Sequence, residues 1–310
     1  MVVCRMTGIS DATADTERNA VILQGSAGQL ALAEWLMEDL EVAAGQSALS
    51  RPSPDSTLHQ TRVPGSADEL VRVFHLQHAT TDQDRQDLST LMRVTADIQV
   101  LFTCIPPRAV VARATAGQIR VAEWLVNALD KPPDWQPRTA SERVSTHYES
   151  QRPGAPDDVA RVVYLSNTTT SNAMQELGNA MRVIASLRWV FFFDSPKALV
   201  LRGTVEEMAL AEWLLVELDE PPADPQSHSQ AHEHWAPDPH GDNLTLVYHL
   251  RHPITDRDAR EIHSLIRAKI GLPNLVVCTA PNAVTARGTS SAIAQAEQLI
   301  KEWDQPHTAS

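Results

Sequence analysis

Hydrophobic positions along this chain fall into two kinds of window, one with apolar residues three and four apart and one with short unbroken apolar runs, and the succession recurs. Ala31-Leu32-Ala33-Glu34-Trp35-Leu36 returns letter for letter at Ala209 to Leu214, and as Arg120-Val121-Ala122-Glu123-Trp124-Leu125 between them. A weaker copy reads Ala294-Gln295-Ala296-Glu297-Gln298-Leu299. The anchoring residues Ala33, Ala122, Ala211 and Ala296 are spaced by 89, 89 and 85 residues, the mark of a tandem array.

Around the anchors the windows predict one unit. Val73-Phe74-His75-Leu76, Val162-Val163-Tyr164-Leu165 and Val247-Tyr248-His249-Leu250 are rich in β-branched and aromatic residues and read as a first strand. An amphipathic helix follows, with Leu88, Leu91 and Met92 matched by Leu177, Ala180 and Met181 and by Ile262, Leu265 and Ile266. Two short apolar runs, such as Val190 to Phe193 and Ala198 to Leu201, flank the turn residues Pro106-Pro107, Ser195-Pro196 and Pro281-Asn282 and read as a hairpin. A second helix starts at Gly25-Ser26, Ala114-Thr115, Gly203-Thr204 and Gly288-Thr289. In the first three copies Gln29, Gln118 or Glu207 completes a capping box. Prolines after Asp130, Asp219 and Asp304 stop these helices.

The expected fold is therefore α+β, a tandem repeat of βαββα modules. Each is a three-stranded sheet with two helices on one face, and its third strand, apolar on both sides, lies in the middle. The boundaries are a half module at 1–42, modules at 70–133, 160–222 and 243–306, and linkers at 43–69, 134–159 and 223–242. The linkers are rich in Pro, Ser, Gln and Asp and are expected to be extended or weakly ordered. In the half module, Val2-Val3-Cys4 resembles Val276-Val277-Cys278 and is expected to be its second strand, with no first strand or first helix before it. That placement puts Cys4, Cys104 and Cys278 at one equivalent strand position, and suggests that a longer precursor supplied the missing half and any signal peptide.

The succession of Val162-Val163-Tyr164-Leu165-Ser166-Asn167, a helix, Ala198-Leu199-Val200-Leu201-Arg202-Gly203-Thr204, and a helix ending Leu218-Asp219-Glu220-Pro221 resembles the short N-terminal modules of bacterial secretins and related envelope proteins. The resemblance covers modules two to four and half of module one. It implies small KH-like or ring-building units that pack laterally in the periplasm and contact partner proteins. The chain departs from the family in ending after module four with no barrel-forming domain, so a pore is not implied.

Composition narrows the function classes. The net charge of −13 repels phosphate backbones, so nucleic acid is not an expected ligand. No run is apolar enough to insert in a membrane, and residues 1–20 lack a basic region followed by an apolar one. Three cysteines make a disulfide framework improbable, and free, buried, structural thiols are the expectation. No catalytic constellation repeats among the modules, so the chain is read as a non-enzyme with no catalytic, cofactor-binding or metal residues, and a small-molecule ligand is not expected.

Candidate chemistry is correspondingly sparse. On the second helix, Leu30, Ala33, Leu36, Met37 and Leu40 define one apolar face, and a second stripe holds Leu32 and Trp35, Val121 and Trp124, and Leu210 and Trp213. In module four that stripe becomes Gln295 and Gln298. These six residues are the candidate docking surface, between modules or for a protein partner, with module four as a polar cap. The competing reading covers each tryptophan with its own module or the neighbouring linker. His228, His232, His234 and His240, with Glu233, Asp238 and Asp242, are read as solvated linker without a preorganised metal site. The pairs His75/His78 and His249/His252 point to opposite faces and cannot share an ion. The expected function is a protein–protein interaction or assembly scaffold of a bacterial envelope or secretion-type system, with protein partners or self-association. The alternative is a cytoplasmic adaptor or a weak KH-like RNA-binding protein, whose G-x-x-G loop would be Gly25 to Gly28.

Overall fold

The computed structural model describes residues 2–18, 20–45, 58–60, 70–105, 107–132, 135–137, 139–149, 159–168, 170–219, 230–235, 241 and 243–305. They belong to two compact units, Met1–Trp135 and Gln136–Ser310. In the first unit α1 (Val2–Thr7), β1 (Asp11–Asp15), β2 (Ala20–Gln24) and α2 (Ala27–Gly45) precede a sheet of β3 (Leu58–Gln60), β4 (Leu70–His75), β5 (Val100–Cys104) and β6 (Ala109–Ala114). Helix α3 (Asp82–Thr95) follows β4 and α4 (Ala116–Leu129) follows β6.

The second unit repeats that order twice. Helix α5 (Ala140–Arg143) and β7 (Val144–Glu149) lead into β8 (Val159–Tyr164), α6 (Ser171–Val183), β9 (Trp189–Phe193), β10 (Ala198–Gly203) and α7 (Val205–Leu218). Then come β11 (Gln230–Trp235), β12 (Leu244–His249), α8 (Asp256–Ile270), β13 (Asn274–Cys278), β14 (Ala283–Gly288) and α9 (Ser290–Trp303).

The three larger sheets share one topology, β3-β4-β6-β5, β7-β8-β10-β9 and β11-β12-β14-β13, with every neighbouring pair antiparallel. The strand after the hairpin turn thus lies between the other two, where a strand apolar on both sides belongs. In β6, Val110, Val111 and Ala112 are completely buried, and all six residues of β10 and of β14 are buried.

Two expectations are corrected. The sheets have four strands, because β3, β7 and β11 arise inside the linkers and pair with the outer edges of β4, β8 and β12. A polar segment can serve as an edge strand, since its backbone satisfies the neighbour's open N–H and C=O groups while its alternate side chains face water. In β11, Glu233 and Trp235 are exposed and His232 and His234 half-buried. Second, Val2-Val3-Cys4 lies in helix α1, and the second strand of the half module is the polar Asp11–Asp15. Its pairing with β2, Asp11↔Gln24 to Asp15↔Ala20, parallels that of β5 with β6, so Cys4 does not share a strand position with Cys104 and Cys278.

Helix starts follow the caps read from the sequence. Ser26 with Gln29, Thr115 with Gln118, and Thr204 with Glu207 form reciprocal capping bonds; Thr81 with Asp84 and Thr255 with Asp258, not among the caps read from the sequence, cap first helices in the same way. Helix α8 ends on Gly271 at φ 74°, a left-handed position that suits glycine, and its N–H donates to the Arg267 carbonyl.

The aspartates closing the second helices do more than precede proline. Asp130 accepts the backbone N–H groups of Gln77, His78 and Ala79 at 2.6 to 2.8 Å. Asp219 accepts those of Ser166, Asn167 and Thr168, together with the Thr168 hydroxyl, and pairs with Arg143 at 3.1 Å. Asp304 accepts the N–H of Arg251. Each carboxylate ties the end of the module to the loop after its first strand. Asp219→Ala, which leaves several buried donors without an acceptor, is expected to lower the unfolding free energy by roughly 2–4 kcal/mol, and Asp219→Asn by less, in urea titrations. An alanine variant as stable as the parent would show that the loop finds other acceptors.

Candidate functional site

Strand alternation leaves a sheet with two faces to cover, and in the first and the last of the three larger sheets the helices of the preceding segment of the same unit cover the second one. In the first unit Val71 and Val73 of β4 and Ala109 and Val111 of β6 pack with Met6 of α1 and Leu32 and Leu36 of α2. In the second, Leu246 and Tyr248 of β12 pack with Ile262, Ile266, Ile293 and Ala296 of their own helices. Val247 between them joins Val276, Cys278 and Ala283 in a cluster with Leu210, Ala211 and Leu214 of α7 and Leu177 and Met181 of α6.

Polar contacts trim both junctions. Arg113 of β6 donates to the carbonyls of Arg5 and Met6 at the end of α1, and Arg287 of β14 donates to the Ile184 carbonyl at the end of α6. A guanidinium meeting the carbonyl end of a helix is favoured by the helix dipole. Arg202 holds the same repeat position. Glu176 of α6 accepts the N–H groups of Thr279 and Ala280 and the Thr279 hydroxyl, fixing the β13–β14 turn.

The six candidate docking residues are placed as follows. Leu32 is fully buried in the first junction, with Trp35 half-buried against the same cluster. Leu210 is 2% exposed in the second junction, where Trp213 packs half-buried and stacks on His234 of β11 at 5.0 Å. Val121 and Trp124 are buried, at 7% and 9% exposure. In the last segment Gln295 and Gln298 are exposed and bond to Ser291 and Glu302 on their own helix. Leu36, expected on the opposite face from Leu32, shares its cluster, so α2 buries both stripes.

The histidines depart furthest from expectation. His232 and His234 lie on β11, not in structureless linker. His228, His240, Asp238 and Asp242 lie outside the described residues. His75 bonds Asp39 of α2 at 2.8 Å across the first junction. At the second, Glu217 of α7 contacts His232 Nδ1 and lies 3.8 Å from His249 Nε2. His252 faces Asp304 instead, at 3.5 Å, so the two members of the His249/His252 pair serve different carboxylates. A signal for this was present in the repeat. Six residues beyond the anchoring alanine stand Asp39, Ala128, Glu217 and Glu302, and the first strands that follow the first three end in His75, Tyr164 and His249, so each strand-end imidazole follows a helix that carries the acid and the tyrosine follows the one that carries alanine.

The cysteines are free. Cys104 and Cys278 end β5 and β13, and Cys278 is fully buried. Burial, reinforced by the nearby Glu176 carboxylate, pushes the Cys278 thiol far above its ordinary value, and burial alone raises Cys104. Gly25 to Gly28 opens α2, with Ser26 committed to capping Gln29.

No family model matches the sequence, and no curated protein does. Among solved structures, the N-terminal domain of the secretin XcpQ from Pseudomonas aeruginosa is 18% identical, over 71% of this chain and 92% of that one, at a TM-score of 0.23. Aeromonas hydrophila ExeD is 11% identical, over 76% of this chain and 41% of that one, at 0.18. The type II secretion system secretin GspD of E. coli K12 is 13% identical, over 76% and 39%, at 0.17. At these scores the likeness assigns no role.

Because only the thiolate alkylates, Cys278 is expected to resist iodoacetamide at pH 8 in the native protein while the less buried Cys4 reacts. Arg287→Ala, which unfastens β14 from α6, is expected to speed labelling of Cys278 about tenfold, as a local opening cost lowered by roughly 1.4 kcal/mol would. Peptide mass spectrometry reads both, and an unchanged Cys278 rate would separate the thiol's protection from the junction.

Proposed function

We propose that the chain is a non-enzymatic protein–protein interaction and assembly scaffold, serving a bacterial envelope or secretion-type system and working through helix faces and strand edges. The observation that carries this reading is the edge of β2. Strands β6, β10 and β14 pair on both sides, but among the described residues β2 pairs only with β1. It is also apolar and open, with Val21 42% and Ile22 62% exposed. The open edge of an apolar strand accepts a strand from another chain, through backbone hydrogen bonds and burial of alternate side chains.

Inside the chain, α1 and α2 lie on one sheet face through Met6, Leu32 and Leu36, with Trp35 beside them, and α6 and α7 on another through residues that include Leu177, Met181 and Leu210, with Trp213 beside them. Stacking within each unit is the role proposed for Leu32, Trp35, Leu210 and Trp213, with Val121 and Trp124 proposed as docking positions of the same kind and Gln295 and Gln298 as the polar end of the series. The envelope setting rests on the resemblance of the modules to secretin N-terminal units. Among the described residues no helix is long and apolar enough to cross a membrane.

Size-exclusion chromatography with light scattering is expected to show a discrete oligomer, or a complex with a partner, that Ile22→Lys dissolves with the circular dichroism intact. Trp213→Ala is expected to leave that species in place while lowering the unfolding midpoint of the second unit. An oligomer or complex indifferent to Ile22→Lys would refute the strand-edge reading. Salt-sensitive binding of single-stranded RNA at low ionic strength would favour the RNA-binding alternative.

A further inference from the structure

We propose that Glu217, His232 and His249 form a binding site for a divalent transition-metal ion of the zinc class, which pins the edge strand β11 and its neighbour β12 to helix α7. The three side chains come from separate elements and converge, with one ligand atom of each lying within 4.8 Å of the other two. Bonds of about 2.0–2.1 Å at tetrahedral angles place ligand atoms about 3.3 Å apart, so small side-chain adjustments close the set around an ion. Two imidazoles and one carboxylate are donors that zinc takes readily, and they leave a fourth position for water.

Backbone geometry explains the convergence. His249 stands opposite Gln230 and His232 opposite Val247 in the β11–β12 ladder, so the imidazoles are diagonal neighbours on the face that meets α7. Their rings lie 5.7 Å apart, edge to face. Glu217 faces them with its side chain 13% exposed, while those of His249 and His232 are 15% and 38% exposed. The ion can therefore be reached from solvent on the His232 side. Two residues along β11, the stacking of His234 on Trp213 already holds the strand against α7, so much of the ordering precedes metal binding.

The first unit supplies an internal control. There Asp39 and His75 repeat the carboxylate and the strand-end imidazole, but among the described residues no second imidazole joins them, and the pair is a hydrogen bond at 2.8 Å. The added histidine of β11 turns that hydrogen-bond position into a three-donor set. The acidic chain, at −13, attracts cations in general, so the site must be distinguished from diffuse uptake by its residues. The proposal needs only the packing of α7 against β11 and β12 and is independent of any assembly role.

The test uses the full-length, untagged chain stripped with chelator and titrated with Zn²⁺ by calorimetry, and with Co²⁺ by visible absorption. One ion per chain is expected, with a tetrahedral Co²⁺ band and a raised melting temperature. Glu217→Gln and His249→Gln are each expected to weaken binding roughly tenfold or more and abolish the band, whereas Asp39→Asn and, on α8 outside the cluster, His263→Asn leave both unchanged. Circular dichroism checks folding, and His232→Asn, at the most exposed of the three ligands, serves should either of the first variants fail to fold. No stoichiometric uptake by the parent chain, or uptake that survives loss of Glu217 and His249, would overturn the site.

Discussion

A four-stranded sheet with helices on one face still has a second face to keep from water, and much else in this molecule follows from how that is done. Val71 is fully buried and Val73 1% exposed on the far side of β4, and Val247 and Ala283 are fully buried on the corresponding side of the last sheet. Leu32 and Leu36 of α2 cover the first, and α6 and α7 cover the second. Each buried leucine contributes roughly 1.5–3 kcal/mol, so the junctions are core in energy as well as position. In both cases the sheet completes its core with helices from the segment before it in the same unit.

Specificity at these junctions comes from groups that contribute less energy but tolerate one register. Arg113 and Arg287 reach helix ends at equivalent positions, Glu176 holds one turn by three hydrogen bonds, and His75 meets Asp39 as His232 meets Glu217. A slip of one helix turn would strand these partly buried polar groups without partners. The same geometry that fixes the register brings two imidazoles onto one carboxylate.

Much of this was legible from residues. The letter-for-letter return of Ala-Leu-Ala-Glu-Trp-Leu located the second helices, β-branched runs located the first strands, and Ser or Thr followed by Gln or Glu three residues later marked the caps. What escaped had little hydrophobic signature. Edge strands such as Gln230–Trp235 are held by backbone bonds, so a polar sequence among prolines serves as well as an apolar one. Asp11–Asp15 is a strand by position and pairing although it is polar where Val2-Val3-Cys4 is apolar, and the 89-residue spacing maps Asp11 onto Val100. The Glu217 cluster joins residues far apart in sequence, and only the matched occurrence of acid and imidazole across the repeats hinted at it.

Hydrogen–deuterium exchange across β4 and β6 in a Leu32→Ser, Leu36→Ser variant tests the shared core most directly. Neither substitution lies in that sheet, yet uncovering Val71, Val73, Ala109 and Val111 is predicted to collapse the protection of both strands together with that of α2. Loss of protection confined to α2, with β4 and β6 exchanging as slowly as in the parent chain, would contradict the account.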